Sequence, residues 1–233
     1  MNELTGMSLT VFSMLDILAI CIFCIGWAAI GLRVEHPSSA RKSTHQLMDE
    51  YREHWMMEMA RRDVRIFDAQ IINGLRQATA FFGSTTMLAI GGGAALLAQA
   101  ETLNMLAGDI SPELAQPRVL VEAKLLVLVL ALTVAFMRFV WANRLFGYAA
   151  TVMAAVPAHD EPDAAQKMAK RAAKVANYAA RSFNRGLRAI YFALASLAWL
   201  LGPVPLIVST FVTVAVIWRR EFHSMSRNAL LED

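Results

Sequence analysis

A chain of 233 residues that is 57% hydrophobic, 18% charged and has a mean hydropathy of +0.43 is too apolar for an ordinary water-soluble domain, where about a quarter of residues carry charge. A net charge of +3 and a pI near 9.1 would suit nucleic acid in a soluble protein. Here the bases flank apolar runs, where membrane orientation accounts for them, and no nucleic-acid partner is expected. Crossing a hydrocarbon core of about 30 Å takes about 20 apolar residues, and the runs 9–32, 78–100, 119–139 and 189–218 supply them. They predict an all-α, polytopic membrane helical bundle of four spans in a single integral membrane domain, with cytoplasmic helical segments at 41–77 and 140–188.

The first run is preceded by Glu3 and no Lys or Arg, and followed by Arg33. That polarity differs from a secretory signal and places the N-terminus outside. Cys21 and Cys24 share a helical face but have no further cysteine with which to build a metal or haem site, so they are expected to be buried, inert thiols. Asp16 is costly within a span, about 2.5–3.5 kcal/mol at a helix centre on insertion scales, and is expected to be paired, protonated or turned towards water.

Residues 33–77 hold eight Lys/Arg and seven Asp/Glu, against one base and three acids in 101–118, which makes the first segment cytoplasmic. Between Pro37 and Pro112 there is no proline. Met48, Tyr51, Trp55, Met59 and Ile66 recur at helical spacings and predict a helix from about Thr44 that faces a partner and feeds the second span. Gly74 is the expected bend. Within Arg61 to Asp68 the charges form either a solvated face of weak pairs or, with Arg65 and Asp68 buried, a polar network at the mouth of the bundle.

The second span carries Gly83, Gly91, Gly92, Gly93 and Ala95. Small residues four apart, Gly83, Gly91 and Ala95 among them, predict close helix packing; a phosphate-cradling loop would need a strand before the glycines. A short turn-like loop around Gly108 to Pro112 leads to the third span, where Lys124 is expected to snorkel towards the headgroups. Counted along their helices, Lys124 and Asp16 lie at similar depth from the outer ends, so an ion pair between them is an alternative.

Arg138 and Arg144 close the third span, and its helix is expected to run on towards Pro157. His159 to Asp163 predicts a loop and a new helix start with Asp163 as its cap. Lys167, Lys170, Arg171, Lys174, Arg181, Arg185 and Arg188 then crowd one side of a helix whose other face is alanine. Three readings stand: contact with anionic headgroups, pairing with acids such as Asp49, Glu53 and Glu58, or an anion-attracting vestibule. The fourth run is 30 residues from Ala189 to Trp218, interrupted by Gly202, Pro203 and Pro205. A single bent crossing kinked there is preferred, although Arg219, Arg220 and Arg227 would be kept inside by a re-entrant pair of half-helices.

Phe183-Asn184-Arg185-Gly186-Leu187-Arg188-Ala189-Ile190-Tyr191-Phe192, Trp199 and Gly202-Pro203-Val204-Pro205, with Arg65-Ile66-Phe67-Asp68 and Phe81-Phe82-Gly83-Ser84-Thr85, resemble the signature of the membrane family called domain of unknown function 599, found in bacteria and plants. The resemblance implies an integral membrane protein, expected in the plasma membrane, and brings no activity or catalytic residue with it.

No HExxH, nucleophile elbow, dinucleotide fingerprint or phosphate loop is present, and His36, His45, His54, His159 and His223 are scattered through polar segments. Neither enzymatic activity nor a cofactor or metal is expected. Broken helices and intramembrane charge favour an oligomeric transport or channel-like protein, with Asp16, Arg65, Asp68, Lys124, Arg185 and Arg188 as the candidate polar pathway. The rival is a scaffold that binds another membrane protein through bulky residues of the first cytoplasmic helix. Anionic lipid headgroups and further copies of the chain are the other expected partners.

Overall fold

The computed structural model describes residues 12–36, 41–110, 116–157 and 162–232. Residues 9–11 of the first predicted span, Pro37, Pro112 and His159 to Glu161 lie outside them. The described residues form α1 (Met14–Glu35), α2 (Thr44–Ala60), α3 (Ile66–Ala98), α4 (Ala100–Ile110), α5 (Arg118–Ala154), α6 (Pro162–Leu197), a 3-10 turn (Ala198–Leu201), α7 (Pro203–Phe222) and α8 (Met225–Ala229). Among the described residues four stretches are long and apolar enough to cross a membrane: Met14–Glu35, Ile66–Ala98, Arg118–Ala154 and Pro203–Ala229. The architecture is an all-α polytopic membrane bundle.

The spine is the antiparallel pair α5 and α6. Their contact depends on small residues. Ala169, Ala172, Ala176 and Ala179 are fully buried, and a Cβ added to Gly186 would stand 2.7 Å from the Phe139 ring. Where α5 and α6 continue past the apolar runs, α2 and the start of α3 join them around Met56, Met59, Ile72, Phe146 and Met153. The opposite face of α6, with Lys167, Lys170, Arg171 and Lys174, is exposed. Asp163 lies inside the first turn of α6, which already includes Pro162, so it favours the helix through the macrodipole rather than as its cap.

Two expected features of the first charged segment are replaced. The helix from Thr44 stops at Ala60 and the chain turns over Arg61 to Arg65 before α3, which passes through Gly74 without a break. Trp55 and Arg62 both donate to Asp68 in the first turn of α3, at 2.6 and 2.9 Å, and this holds α2 back against the bundle. Folding back buries Met56 and Met59, so part of the apolar stripe read as a partner surface is covered by the chain itself. Tyr51 remains 46% exposed.

On α3 the face turned to α5 is Thr79, Gly83, Thr86 and Gly93. A Cβ on Gly93 would come 2.9 Å from Val129 Cγ2, whereas one on Gly91 or Gly92 would meet nothing. Gly91, Gly92 and Ala95 are therefore exposed, on the outward side of the helix. The predicted loop near Gly108 is in fact the end of α4.

The fourth apolar run is a hairpin rather than one bent crossing. α6 ends at Leu197, the 3-10 turn follows, and Gly202 adopts φ +130°, a backbone region that suits glycine. Pro203 stands at the first position of α7, where a missing N–H costs nothing because that donor has no partner inside the helix. Ser209 Oγ donates to Ala195 O at 2.9 Å across the hairpin, and Arg220 donates to the Tyr191 hydroxyl. α7 runs parallel to α1, with Gly26 beside Thr210 and Val214, and Arg33 beside Trp218 and Phe222. Its end lies with α2: Thr44 Oγ1 donates to Glu221 O at 3.0 Å, and Arg227 Nε to Lys42 O at 3.0 Å.

Candidate functional site

Two buried ionic clusters occupy opposite ends of the sector formed by α1, α6 and α7. At the start of α1, Ser13 is the N-cap and Asp16 completes a capping box, with Ser13 Oγ accepting from Asp16 N at 3.0 Å. Asp16 also accepts from Ser13 Oγ at 2.6 Å and from Trp199 Nε1 at 2.8 Å. The structure brings Lys124 Nζ within 3.9 Å of Asp16. Lys124 is 2% exposed, donates to Gln116 Oε1 at 2.6 Å and lies 5.6 Å from the centre of the Trp199 ring. It does not snorkel, because the tip of the α6–α7 hairpin covers it; Gln116 in turn donates to Leu200 O of that tip at 3.3 Å.

At the other end of α1, Glu35 accepts from both Arg185 and Arg188 of α6, the Arg185 Nε contact measuring 2.7 Å. A two-pronged guanidinium–carboxylate contact is the strongest form of such a bond. Arg188 is 6% exposed. The start of α2 closes the cluster: Glu221 accepts from His45 N at 3.2 Å, and Asn184 Nδ2 lies 3.1 Å from His45 Nδ1. With Asn184 donating, the His45 proton sits on Nε2, which has no hydrogen-bond partner and lies 4.0 Å from Asp49 Oδ2. Burial, with Arg52, Arg181 and Arg188 nearby, holds the His45 pKa below its ordinary value in spite of Asp49.

Asp49 pairs with Arg52 at 2.6 Å and Arg181 at 3.3 Å. Of the acids named for the basic side of α6, Asp49 takes that role, whereas Glu58 pairs with Arg61. Glu35, Asp49 and Glu221 thus stand among Arg52, Arg181, Arg185, Arg188 and Arg220, an excess of positive charge. Beside them opens a cavity of about 250 Å³, lined among others by Thr44, Asn184, Arg188, Tyr191, Arg220 and Glu221. Between the two clusters aromatic rings pack together: Trp27 stacks on Phe192 at 5.3 Å, and Phe23 meets Phe192 edge-on at 5.5 Å.

Arg65 and Asp68 are not paired with each other. Arg65 donates to Val156 O at 2.6 Å and Pro157 O at 2.8 Å, past the C-terminus of α5, where a cation complements the helix dipole. Asp68 is fully buried and served by Trp55 and Arg62. Cys21 and Cys24 are exposed rather than buried. Among the described residues no group of three or more His, Cys, Asp or Glu is placed to hold a metal ion.

Glu35, His45, Asn184, Trp199 and Glu221 were not singled out by the sequence as members of a site. For Glu35 a signal existed: it is an acid at the arginine-rich end of an apolar run, where a neutralising partner must be near.

No curated protein and no solved structure matches the chain. A family model described as "Protein of unknown function, DUF599" matches residues 18–226, taking in both clusters except Ser13 and Asp16. The chain belongs to the DUF599 family.

Proposed function

We propose that this membrane protein is a carrier for a small charged solute in the plasma membrane, working as a homo-oligomer and by alternating exposure rather than through a standing pore. One observation carries the reading: charged clusters stand at both ends of α1, and the aromatic rings of Phe23, Trp27 and Phe192 pack together between them. Ionisable groups inside a membrane are costly to maintain, and a helix hairpin broken at Gly202 beside one cluster gives the sector a place to move. The excess of arginine around the cavity favours a solute with an anionic group. The positive-inside rule puts the Glu35 end, with Arg33, Arg185, Arg219, Arg220 and Arg227, in the cytoplasm and the Asp16 end outside.

The test is flux. Purified protein in sealed liposomes is expected to exchange a small labelled anion across the bilayer, with Glu35→Gln lowering the rate at least tenfold. If the wild type moves none of a panel of inorganic and organic anions, and instead co-purifies with another membrane protein in fixed ratio, the scaffold reading replaces it.

A further inference from the structure

A second cavity lies away from both clusters, on the flank where α3 meets α5. It has a volume of about 330 Å³, with Arg65, Asn73 and Arg76 among the residues on its rim and Met59, Ile72 and Met153 in its floor. The floor residues are buried while Asn73 and Arg76 are exposed, so the groove is apolar below and basic at the edge. Among the described residues no carboxylate lines it, and the Arg76 guanidinium has no hydrogen bond or ion pair of its own.

Its depth is as informative as its charge. Arg76 is the last charged residue of α3; none follows until Glu101. The headgroup layer is about 5–8 Å thick on each side of the hydrocarbon core, and the turn from Ile72 to Arg76 covers about 6 Å at the helical rise. The Arg76 end of the groove therefore stands at headgroup depth, and farther along the same face of α3 Met87 is 63% exposed. The wall is firmly built. Asn143 Nδ2 donates to Arg76 O and to Thr79 Oγ1, both at 2.9 Å, tying this turn of α3 to α5.

We propose that the α3–α5 groove binds the headgroup of an anionic phospholipid, its phosphate on Arg76 and Asn73 and its acyl chains descending along α3. Arg65, whose Nη atoms are engaged by Val156 O and Pro157 O, stands about 16 Å along the helix axis from Arg76, at the far end of the groove, and is not part of the headgroup site. Basic pockets between membrane helices at this level suit such headgroups, and the bilayer supplies the ligand at high local concentration. A soluble phosphate would find the same arginine but have no use for the apolar surface below it.

The experiment is a lipid titration of the full-length protein in neutral detergent, read by native mass spectrometry and by thermal melting. Phosphatidylglycerol is expected to be retained at one molecule per chain and to raise the melting temperature, while phosphatidylcholine and inorganic phosphate at equal concentration do neither. Arg76→Gln is expected to weaken phosphatidylglycerol binding at least fivefold. Lys170→Gln, the same charge change on the exposed face of α6, is expected to leave it unchanged. Equal retention of phosphatidylcholine, undiminished binding by the Arg76 variant, or stabilisation by inorganic phosphate alone would each overturn the assignment.

Discussion

The two ionic clusters stand at opposite ends of α1 and differ in kind. At the Asp16 end one acid faces one base, both are buried, and Ser13, Gln116 and Trp199 engage their polar atoms. At the Glu35 end one acid holds two arginines beside an open cavity, and further arginines outnumber the acids around it. The first arrangement is neutral and closed, so its work is to pin the hairpin tip to α1 and α5. The second is charged and lies beside an open cavity, so under the proposed carrier reading it is the end where a solute would exchange with water.

The sharpest way to break this contrast is to remove the shared carboxylate. Glu35→Gln leaves the buried Arg188 without its counter-charge, and breaking a buried pair in this way costs about 3–5 kcal/mol. Thermal melting of the purified protein should show the largest loss of any single change considered, and added salt or a small anion should recover part of it. Asp16→Asn can keep an acceptor for Trp199 but loses the charge facing Lys124 and the second acceptor, which serves Ser13, so its cost should be about 1–3 kcal/mol. The double variant Asp16→Asn/Lys124→Met should be closer to wild type than the sum of the two single changes. An additive double variant would mean that the 3.9 Å pair contributes nothing.

Packing of the spine tests whether the clusters are held in register. Gly186→Ala presses a methyl group to within 2.7 Å of Phe139, and overpacking of this kind costs about 1–3 kcal/mol. Gly91→Ala, on the open face of the same bundle, should shift the melting temperature little or upwards, because alanine is the better helix former.

A smaller effect separates the ends by pH. His45 belongs to the Glu35 end, faces Asp49 and Arg52 on α2, Arg181 and Arg188 on α6, and Glu221 on α7, and its pKa is lowered chiefly by burial. The unfolded chain therefore binds its proton first, near pH 6.5. The sign follows: the contribution is complete above that pH and is lost as pH falls below it, so stability declines on acidification. His45→Gln should flatten the melting curve between about pH 5 and 7, whereas Asp16→Asn should leave the slope in that window as it is.

Legibility followed how far each inference had to reach along the chain. Apolar length and the asymmetry of arginine marked the membrane helices, because each span is a local property. Asp16 and Lys124 could be set at one depth because helical rise turns residue number into distance from each span's end. Glu35 and Glu221 could not, since the side on which Glu221 emerges depends on whether residues 189–218 cross once or return, and the prolines suit either. Gly202 with positive φ decides it, and a glycine's φ is invisible in a sequence. Arg65 and Asp68, three apart, suited a local pair, but the carbonyls of Val156 and Pro157 and the indole of Trp55 offered each a better partner from elsewhere in the fold. On α3, four-residue spacing selected Gly91 and Ala95, whereas the buried face steps from Thr79 through Gly83 and Thr86 to Gly93, following the period of 3.6.

The contrast between the ends requires that α6 and α7 enter and leave from the same one. Single cysteines placed at Glu50, Arg118 and Met225, all exposed, in a chain carrying Cys21→Ser and Cys24→Ser, can be labelled in sealed vesicles with a membrane-impermeant maleimide. Glu50→Cys and Met225→Cys should react from one side of the bilayer and Arg118→Cys from the other. If Met225→Cys labels together with Arg118→Cys, the last apolar run crosses once, and the hairpin that joins the two clusters does not exist.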